Sequence, residues 1–397
     1  MFQKHCPGCF ENKQGLAACP YCSYDESEPR SPLLLPHGTQ LANTYRIGRV
    51  LGRPGGFGVT YLAWDSHLQQ RVAVKEYLPR DKVARDPVSL QMNVHMPDQV
   101  AHFNFGLDQF LSEARMIAKF DHPNIVRVRN FFRAYGTAYL VMDYYEGRSL
   151  GDYLASLEHP VEPTAAVQMM LSVLDGLQFV HDRGVLHRDV KPHNIYMTNT
   201  GRVILLDFGA ARQAAGISVD SISVVLSEGY APLEQYQKNS PQGPWTDIYG
   251  VAATLYRMLK GGPPAVALDR LGADPLDADF HLPERLTTVL RKALALRPHE
   301  RYTSALEFKQ ALMSALDITD QKHAPVTQTL PGGSVEPETK TVAWGHPSDP
   351  TQANKRDAAT TVVAPHIVPT PWGPAWLIAA AIVLGAVIIS LPLWLNR

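Results

Sequence analysis

The chain has 397 residues, 45% of them hydrophobic and 19% charged, with a formal net charge of -1. Such a length accommodates one or two substantial cores, and a balance so near neutrality gives no global attraction to nucleic acid, so function has to be sought in local sites. All 4 cysteines lie within the first 22 residues, which excludes a disulfide framework running through the chain.

The amino-terminal run Met1-Phe2-Gln3-Lys4-His5-Cys6 lacks the charged and apolar regions of a secretory signal, so this part is expected to stay in the cytosol. Cys6-Pro7-Gly8-Cys9 and Cys19-Pro20-Tyr21-Cys22 are two C-x-x-C knuckles separated by nine residues. Each knuckle presents two thiolates to one metal, and four thiolates in a tetrahedron favour structural Zn²⁺. A redox dithiol, a rubredoxin-type iron site and two disulfides are the competing chemistries. A segment this small cannot fold by burial alone, so a metal would supply the folding free energy. Residues 1–24 are therefore expected to be a zinc ribbon, and the acidic, proline-rich residues 25–40 a linker.

Residues 41–316 form the long globular block. Two strands, Tyr45 to Leu51 and Val59 to Trp64, flank Gly52-Arg53-Pro54-Gly55-Gly56-Phe57-Gly58, a hairpin whose glycines let backbone amides approach phosphates. Lys75 ends the apolar strand Val72-Ala73-Val74-Lys75, and Glu76, its neighbour, faces the opposite side. Phe110, Glu113, Ala114 and Ile117 share one helical face, which turns the Glu113 carboxylate into the fold. The segment from Tyr77 to about Phe105 separates strand and helix. Tyr139-Leu140-Val141-Met142-Asp143-Tyr144-Tyr145 follows a second strand pair, and helical patterning begins at Leu150, Tyr153 and Leu154 and resumes from Met169 to Val180. The loop His187-Arg188-Asp189-Val190-Lys191-Pro192-His193-Asn194 then sets an acid-base residue, a cation and an amide at Asp189, Lys191 and Asn194. The strand Val203-Ile204-Leu205-Leu206 leads into Asp207-Phe208-Gly209. In this order and spacing the segments assemble the separate charges that phosphoryl transfer from a metal nucleotide requires.

Over about residues 45–315 the chain resembles the protein kinase family, specifically the bacterial serine/threonine kinases of eukaryotic (Hanks) type. The resemblance implies an α+β, bilobal protein-kinase fold with a small β-rich lobe and a larger helical one. ATP and Mg²⁺ or Mn²⁺ would be the cofactors. Gly52, Gly55, Gly56, Phe57 and Gly58 would cover the nucleotide, although Pro54 is an extra residue between the first two glycines and Thr60 stands where Val is usual. Lys75 would contact the α- and β-phosphates and be held by Glu113. Met142 would be the gatekeeper, and backbone groups of Asp143 and Tyr145 would bind the adenine edge. Asp189 would accept the substrate hydroxyl proton, Lys191 would neutralise the transferred phosphoryl group, and Asn194 and Asp207 would hold the metal. Lysine two residues after Asp189, together with Ser227, points to Ser/Thr in protein substrates rather than Tyr. Against the family, the segment from Tyr77 to about Phe105 would be an insertion before the helix, similar to a bacterial subgroup with Lys-Glu-Tyr-x-Pro after the strand. Arg188 would answer to a phosphorylated activation loop, with Ser218, Ser221 and Ser223 as acceptors. Ala231-Pro232-Leu233-Glu234 would anchor through Glu234 to Arg301, and Asp247 would brace the catalytic loop. A pseudokinase or scaffold that binds without phosphoryl transfer is the alternative.

Residues 317–373 turn rich in Pro, Thr, Gly and Ala and are expected to be a disordered tether. Its Thr-Thr and Thr-x-Thr pairs before aliphatic residues, as at Thr360-Thr361-Val362, would suit a forkhead-associated, phosphothreonine-binding partner once phosphorylated. Residues 374–395 read as a transmembrane helix, because from Ala375 to Leu395 no charge occurs and the stretch reaches roughly 30 Å at about 1.5 Å per residue. Lys355 and Arg356 before it and Arg397 after it lean toward a single-pass inner-membrane protein with its kinase domain and zinc ribbon in the cytoplasm. Ala381 and Gly385 form one small-xxx-small pair that would support a homodimer.

Overall fold

β-Branched and aromatic runs dominate the first third of the globular block, and alanine- and leucine-rich stretches with helical spacing dominate the rest; strands and helices follow that division. The computed structural model describes residues 4–16, 18–52, 58–208, 227–237, 239–272, 274, 276 and 281–318. In chain order the first lobe contains β1 (Gln40–Leu41), β2 (Tyr45–Leu51), β3 (Gly58–Asp65), β4 (Gln70–Tyr77), a hairpin of β5 (Val83–Arg85) and β6 (Met92–Val94), the helix α1 (Val100–Ile117), and then β7 (Val128–Ala134) and β8 (Thr137–Asp143). Six of these strands make one antiparallel sheet in the order β1-β2-β3-β4-β8-β7.

In the register of that sheet Lys75 pairs with Thr60 on one side and Leu140 on the other, so it sits on an interior strand. Alternation puts Tyr77 on the same face as Lys75, and there its ring meets Phe103 and Phe110 of α1 at centroid distances of 5.4 and 5.9 Å. Gly106 of α1 permits this approach, since a methyl group there would overlap the Tyr77 hydroxyl. The helix begins at Val100, so the last part of the expected insertion is helical. The cause is spacing: Phe103, Leu107 and Phe110 bury one stripe against the sheet. Glu76 lies on the opposite face and is fully buried.

Past the sheet, the second lobe contains β9 (Gly147–Ser149), α2 (Leu150–Ala155), α3 (Pro163–His181), β10 (Ile195–Thr198), β11 (Val203–Leu205), α4 (Leu233–Tyr236), α5 (Pro244–Lys260), α6 (Glu284–Ala293) and α7 (Ala305–Ala315). The helix starts carry local signals: the Ser149 hydroxyl accepts from the Asp152 N–H, the Glu162 carboxylate from the Ala165 N–H ahead of Pro163, and the Ser304 hydroxyl from the Glu307 N–H. Helix α3 packs against α5 and α7, and the small sheet β11-β10-β9 lies where the lobes join. A parallel bridge between Ile125 and Leu205 ties the segment after α1 to β11.

Residues 25–39, a linker by composition, carry turns and irregular backbone but lie against the sheet. Leu35 is fully buried and its N–H donates to the Tyr61 hydroxyl at 3.2 Å. Among the described residues no helix is long and apolar enough to cross a membrane. The tether beyond residue 318, the 374–395 span, Ser218, Ser221 and Ser223, and Gly55, Gly56 and Phe57 of the glycine-rich hairpin lie outside the described residues.

Candidate active site

The loop between α3 and β10 is short and charged, and its shape is imposed from below by one carboxylate. Asp247, in the first turn of α5, accepts at Oδ2 from the His187 N–H (2.8 Å) and from His181 Nε2 (2.8 Å), and at Oδ1 from the Arg188 N–H (2.6 Å). Burial pushes the Asp247 carboxyl up, but the hydrogen bond and charge of His181 and the bonds from the loop outweigh it and hold the group below the usual carboxylate range. Held this way, Arg188 adopts a left-handed φ of 66°, a conformation that costs a non-glycine residue free energy and persists only where its surroundings fix it. Gln235 adds a second restraint by donating to the Arg188 carbonyl at 2.7 Å.

His187 is buried, and burial lowers its pKa, so the ring is neutral. Its Nε2–H donates to the Leu206 carbonyl at 2.7 Å and its Nδ1 accepts from the Asp189 N–H at 3.3 Å. This ring joins the loop to the residue preceding Asp207. Phe208 packs on it at 4.6 Å between centroids and approaches Phe120 at 6.3 Å.

Above this base the side chains named from the loop converge. Asn194 donates through Nδ2 to the Asp189 carbonyl (2.8 Å) and to its Oδ2 (2.6 Å), and Lys191 Nζ lies 3.1 Å from the same Oδ2. The Ser227 hydroxyl donates to Asp189 Oδ1 (3.0 Å) and accepts from Lys191 Nζ (2.7 Å). Asn194 makes both bonds through its nitrogen, which leaves the amide oxygen to a cation. Asp207 takes a left-handed φ of 46° and its Oδ1 is 2.8 Å from Lys75 Nζ. A carboxylate and an amide oxygen are hard donors suited to Mg²⁺ or Mn²⁺.

Lys75 thus pairs with Asp207, and Glu113 is buried on α1. The Asp207 carboxylate reaches the ammonium in this arrangement. Met142, buried at the end of β8, lies opposite Ala73 in the sheet register. The Asp143 N–H donates to the Arg127 carbonyl at 3.0 Å, and the Asp143 carboxylate pairs with Arg129. The Tyr145 carbonyl accepts from the Tyr196 hydroxyl at 3.1 Å. Gly52 and Gly58 bound the glycine-rich hairpin, with Gly58 opening β3. Glu234 pairs with Arg301 through both oxygens at 2.7 and 3.1 Å, and Thr246 donates to the same carboxylate at 3.0 Å.

Sequence reasoning missed His181 and Gln235 as supports of the loop, and it missed the use made of Glu76. That buried carboxylate accepts from Arg85 (2.6 Å), Tyr61 (2.8 Å) and Tyr139 (2.6 Å). Arg85 in turn donates to the carbonyls of Leu33 and Leu90. The one available signal was a glutamate in an apolar strand beside Lys75.

The four cysteine Sγ atoms lie within 4.8 Å of one another, with Cys6–Cys22 at 3.7 Å and Cys9–Cys19 at 3.6 Å. A tetrahedron of Zn–S bonds of about 2.3 Å has edges of roughly 3.8 Å, so the thiols have the spacing of a zinc site. The Gly8 N–H donates to Cys6 Sγ at 3.1 Å, a bond that favours the thiolate.

Residues 45–315 match the family model of the protein kinase domain. The chain belongs to the protein kinase family. It is 33% identical over 292 residues to the serine/threonine-protein kinase PknB of Mycobacterium tuberculosis, covering 69% of this chain and 43% of that protein. To the serine/threonine-protein kinase PrkC of Bacillus subtilis it is 27% identical over 312 residues, covering 74% of this chain and 45% of that one. The chain therefore spans less than half the length of these curated relatives. Among solved structures it is similar to the apo form of PpkA-294, with a TM-score of 0.62 at 33% identity, covering 70% of this chain and 99% of that one. It is also similar to the kinase domain of PknI from Mycobacterium tuberculosis, with a TM-score of 0.54 at 25% identity, covering 72% of this chain and 100% of that one. Family membership implies ATP with Mg²⁺ or Mn²⁺ as cofactors.

Proposed function

We propose that the chain is a serine/threonine protein kinase that transfers the γ-phosphate of ATP to Ser and Thr hydroxyls of proteins, its own included. One observation carries the reading: Asp189, Lys191, Asn194 and Ser227 meet in a single hydrogen-bonded cluster, with the Lys75–Asp207 ion pair as the second group of charges. Asp189 orients the substrate hydroxyl and accepts its proton. Asn194 and Ser227 fix the two oxygens of that carboxylate, so its position is set before substrate arrives. Lys191 neutralises negative charge developing on the transferred group. Asp207 and Asn194 would hold the divalent cation, which would offset the charge of the phosphates. Lys75 would turn to the α- and β-phosphates as nucleotide enters, with Glu113 of α1 as its support.

The finer parts of the reading rest on sequence. Ala375 to Leu395 would tether the enzyme to the inner membrane with residues 1–318 in the cytoplasm, and the Ala381/Gly385 pair would support self-association. The four cysteines would carry structural Zn²⁺. Phosphorylated tether threonines would recruit a forkhead-associated domain. The full chain, purified in mild detergent and incubated with labelled ATP, Mg²⁺ and a generic protein substrate, tests the activity. Transfer to Ser and Thr that disappears in Asp207→Asn is expected. No transfer with either metal, or full transfer by that variant, would leave a pseudokinase in its place.

A further inference from the structure

The cysteine module is attached to the strands on either side of the glycine-rich hairpin. The two residues between the first pair of cysteines, Pro7 and Gly8, both present their carbonyls to Arg49 of β2: the Arg49 N–H donates to Pro7 O at 2.8 Å and its Nε to Gly8 O at 2.9 Å. The β2–β3 pairing shifts register between Ile47 and Val50, a bulge that turns the Arg49 N–H out of the ladder toward the module. Gly48 sits within the bulge because a methyl there would overlap the Pro7 oxygen and crowd the Phe10 ring. Phe10 lies 5.9 Å from the Trp64 ring of β3, and Arg30 donates to the Gly48 carbonyl at 3.2 Å. Both strands that flank Gly52–Gly58 are therefore gripped from one small module. That module is too small to hold its shape by burial, and its four thiols have the spacing of a metal site.

We propose that Zn²⁺ held by Cys6, Cys9, Cys19 and Cys22 sets the affinity for nucleotide, through the knuckle carbonyls of Pro7 and Gly8 that it fixes against Gly48 and Arg49. The inference deepens the kinase reading by adding regulation, and it needs that reading only for the identity of the ligand as ATP. Metal closes the knuckle, and the closed knuckle directs both carbonyls at β2. Without metal the module loosens, the bulge loses its partners, and the strand leading into Gly52 gains freedom that nucleotide binding has to remove. Coupling between two such sites is reciprocal, so bound nucleotide slows the loss of zinc to the same extent that zinc tightens nucleotide.

The test uses the full chain, elemental analysis for zinc, and binding of a fluorescent non-hydrolysable ATP analogue. One zinc per chain is expected. Cys22→Ser, or the wild type stripped with a chelator, should bind the analogue about 10-fold more weakly and exchange the Gly48–Arg49 backbone amides faster. Adding Zn²⁺ back to the stripped wild type should restore both, which separates the effect from unfolding. Arg49→Ala and Gly48→Ala should keep zinc yet bind like the stripped protein. Absence of bound metal overturns the proposal, as does an affinity unmoved by zinc removal, or wild-type binding by both Arg49→Ala and Gly48→Ala. Zinc-dependent nucleotide binding without phosphoryl transfer would uphold it while removing the kinase reading; transfer with zinc-independent binding would do the reverse.

Discussion

Among the described residues each lobe buries an arginine–glutamate pair completely, and the two pairs support different segments. In the helical lobe Glu234 and Arg301 are both buried, and Arg301 also donates to the carbonyls of Ala295 and Leu296. This pair fixes the segment after Ser227 beside Gln235 and hence the backbone of the loop carrying Asp189 and Lys191. In the sheet lobe Glu76 and Arg85 are equally buried, but on the face of the sheet turned away from the active side chains. That pair ties β4, which carries Lys75, to the inserted hairpin and to residues 33–35. Buried charge therefore holds the loop of Asp189 in one lobe and the strand of Lys75 in the other. Breaking such a pair leaves an uncompensated charge, which costs far more than the pair itself contributes.

Four substitutions and one titration bear on that contrast. The largest effect is expected from Asp189→Asn, which should lower kcat about 10²- to 10⁴-fold with an unchanged melting temperature, separating chemistry from support. Arg301→Met should cost about 3–5 kcal/mol of stability and lower kcat more than it raises KM for ATP; denaturant unfolding and steady-state kinetics measure both. Arg85→Met should cost a similar amount, about 3–5 kcal/mol, but with KM for ATP as the kinetic constant that moves; a fall in kcat alone would erase the distinction between the lobes. Ser227→Ala removes a donor to Asp189 and an acceptor from Lys191, and should lower kcat roughly tenfold, as about 1.5 kcal/mol of lost hydrogen bonding implies.

The titration concerns His37, which bonds Tyr24 at 3.0 Å where the cysteine module meets the sheet lobe. Burial, and then the charge of Arg30, lower its pKa from 6.5 to about 4, with Glu26 opposing. The folded-state pKa is depressed, so protonation favours unfolding, and the stability that the neutral ring allows is lost as pH falls from 6.5 toward 4. Thermal melts of His37→Gln should fall less steeply than wild type across that window, and identical slopes would show that the ring is not the group responsible.

The kinase motifs were legible because each is local. Asp189, Lys191 and Asn194 fall within one loop whose turn brings them together, and Asp207 follows a strand that antiparallel pairing returns to the same place. Glu234–Arg301 and the bracing by Asp247 followed from the family pattern and are formed. That Asp207 reaches Lys75 was not legible. Which carboxylates reach the ammonium depends on where α1 and the Asp207 loop sit against the sheet, and helical periodicity gives the face of α1 but not its distance.

Sequence by itself determined which residues make up the kinase motifs, where most strands and helices run, and that two C-x-x-C knuckles lie close together, since all of these depend on neighbours within a few positions. Only the tertiary structure decided that residues 25–39 cover the sheet, that Glu76 collects Arg85, Tyr61 and Tyr139, and that the Pro7 and Gly8 carbonyls close on Arg49. Those contacts join segments up to 63 positions apart. A buried carboxylate or a bulged strand recruits whatever donor the folded chain brings within about 3 Å, and no local pattern announces which one that will be.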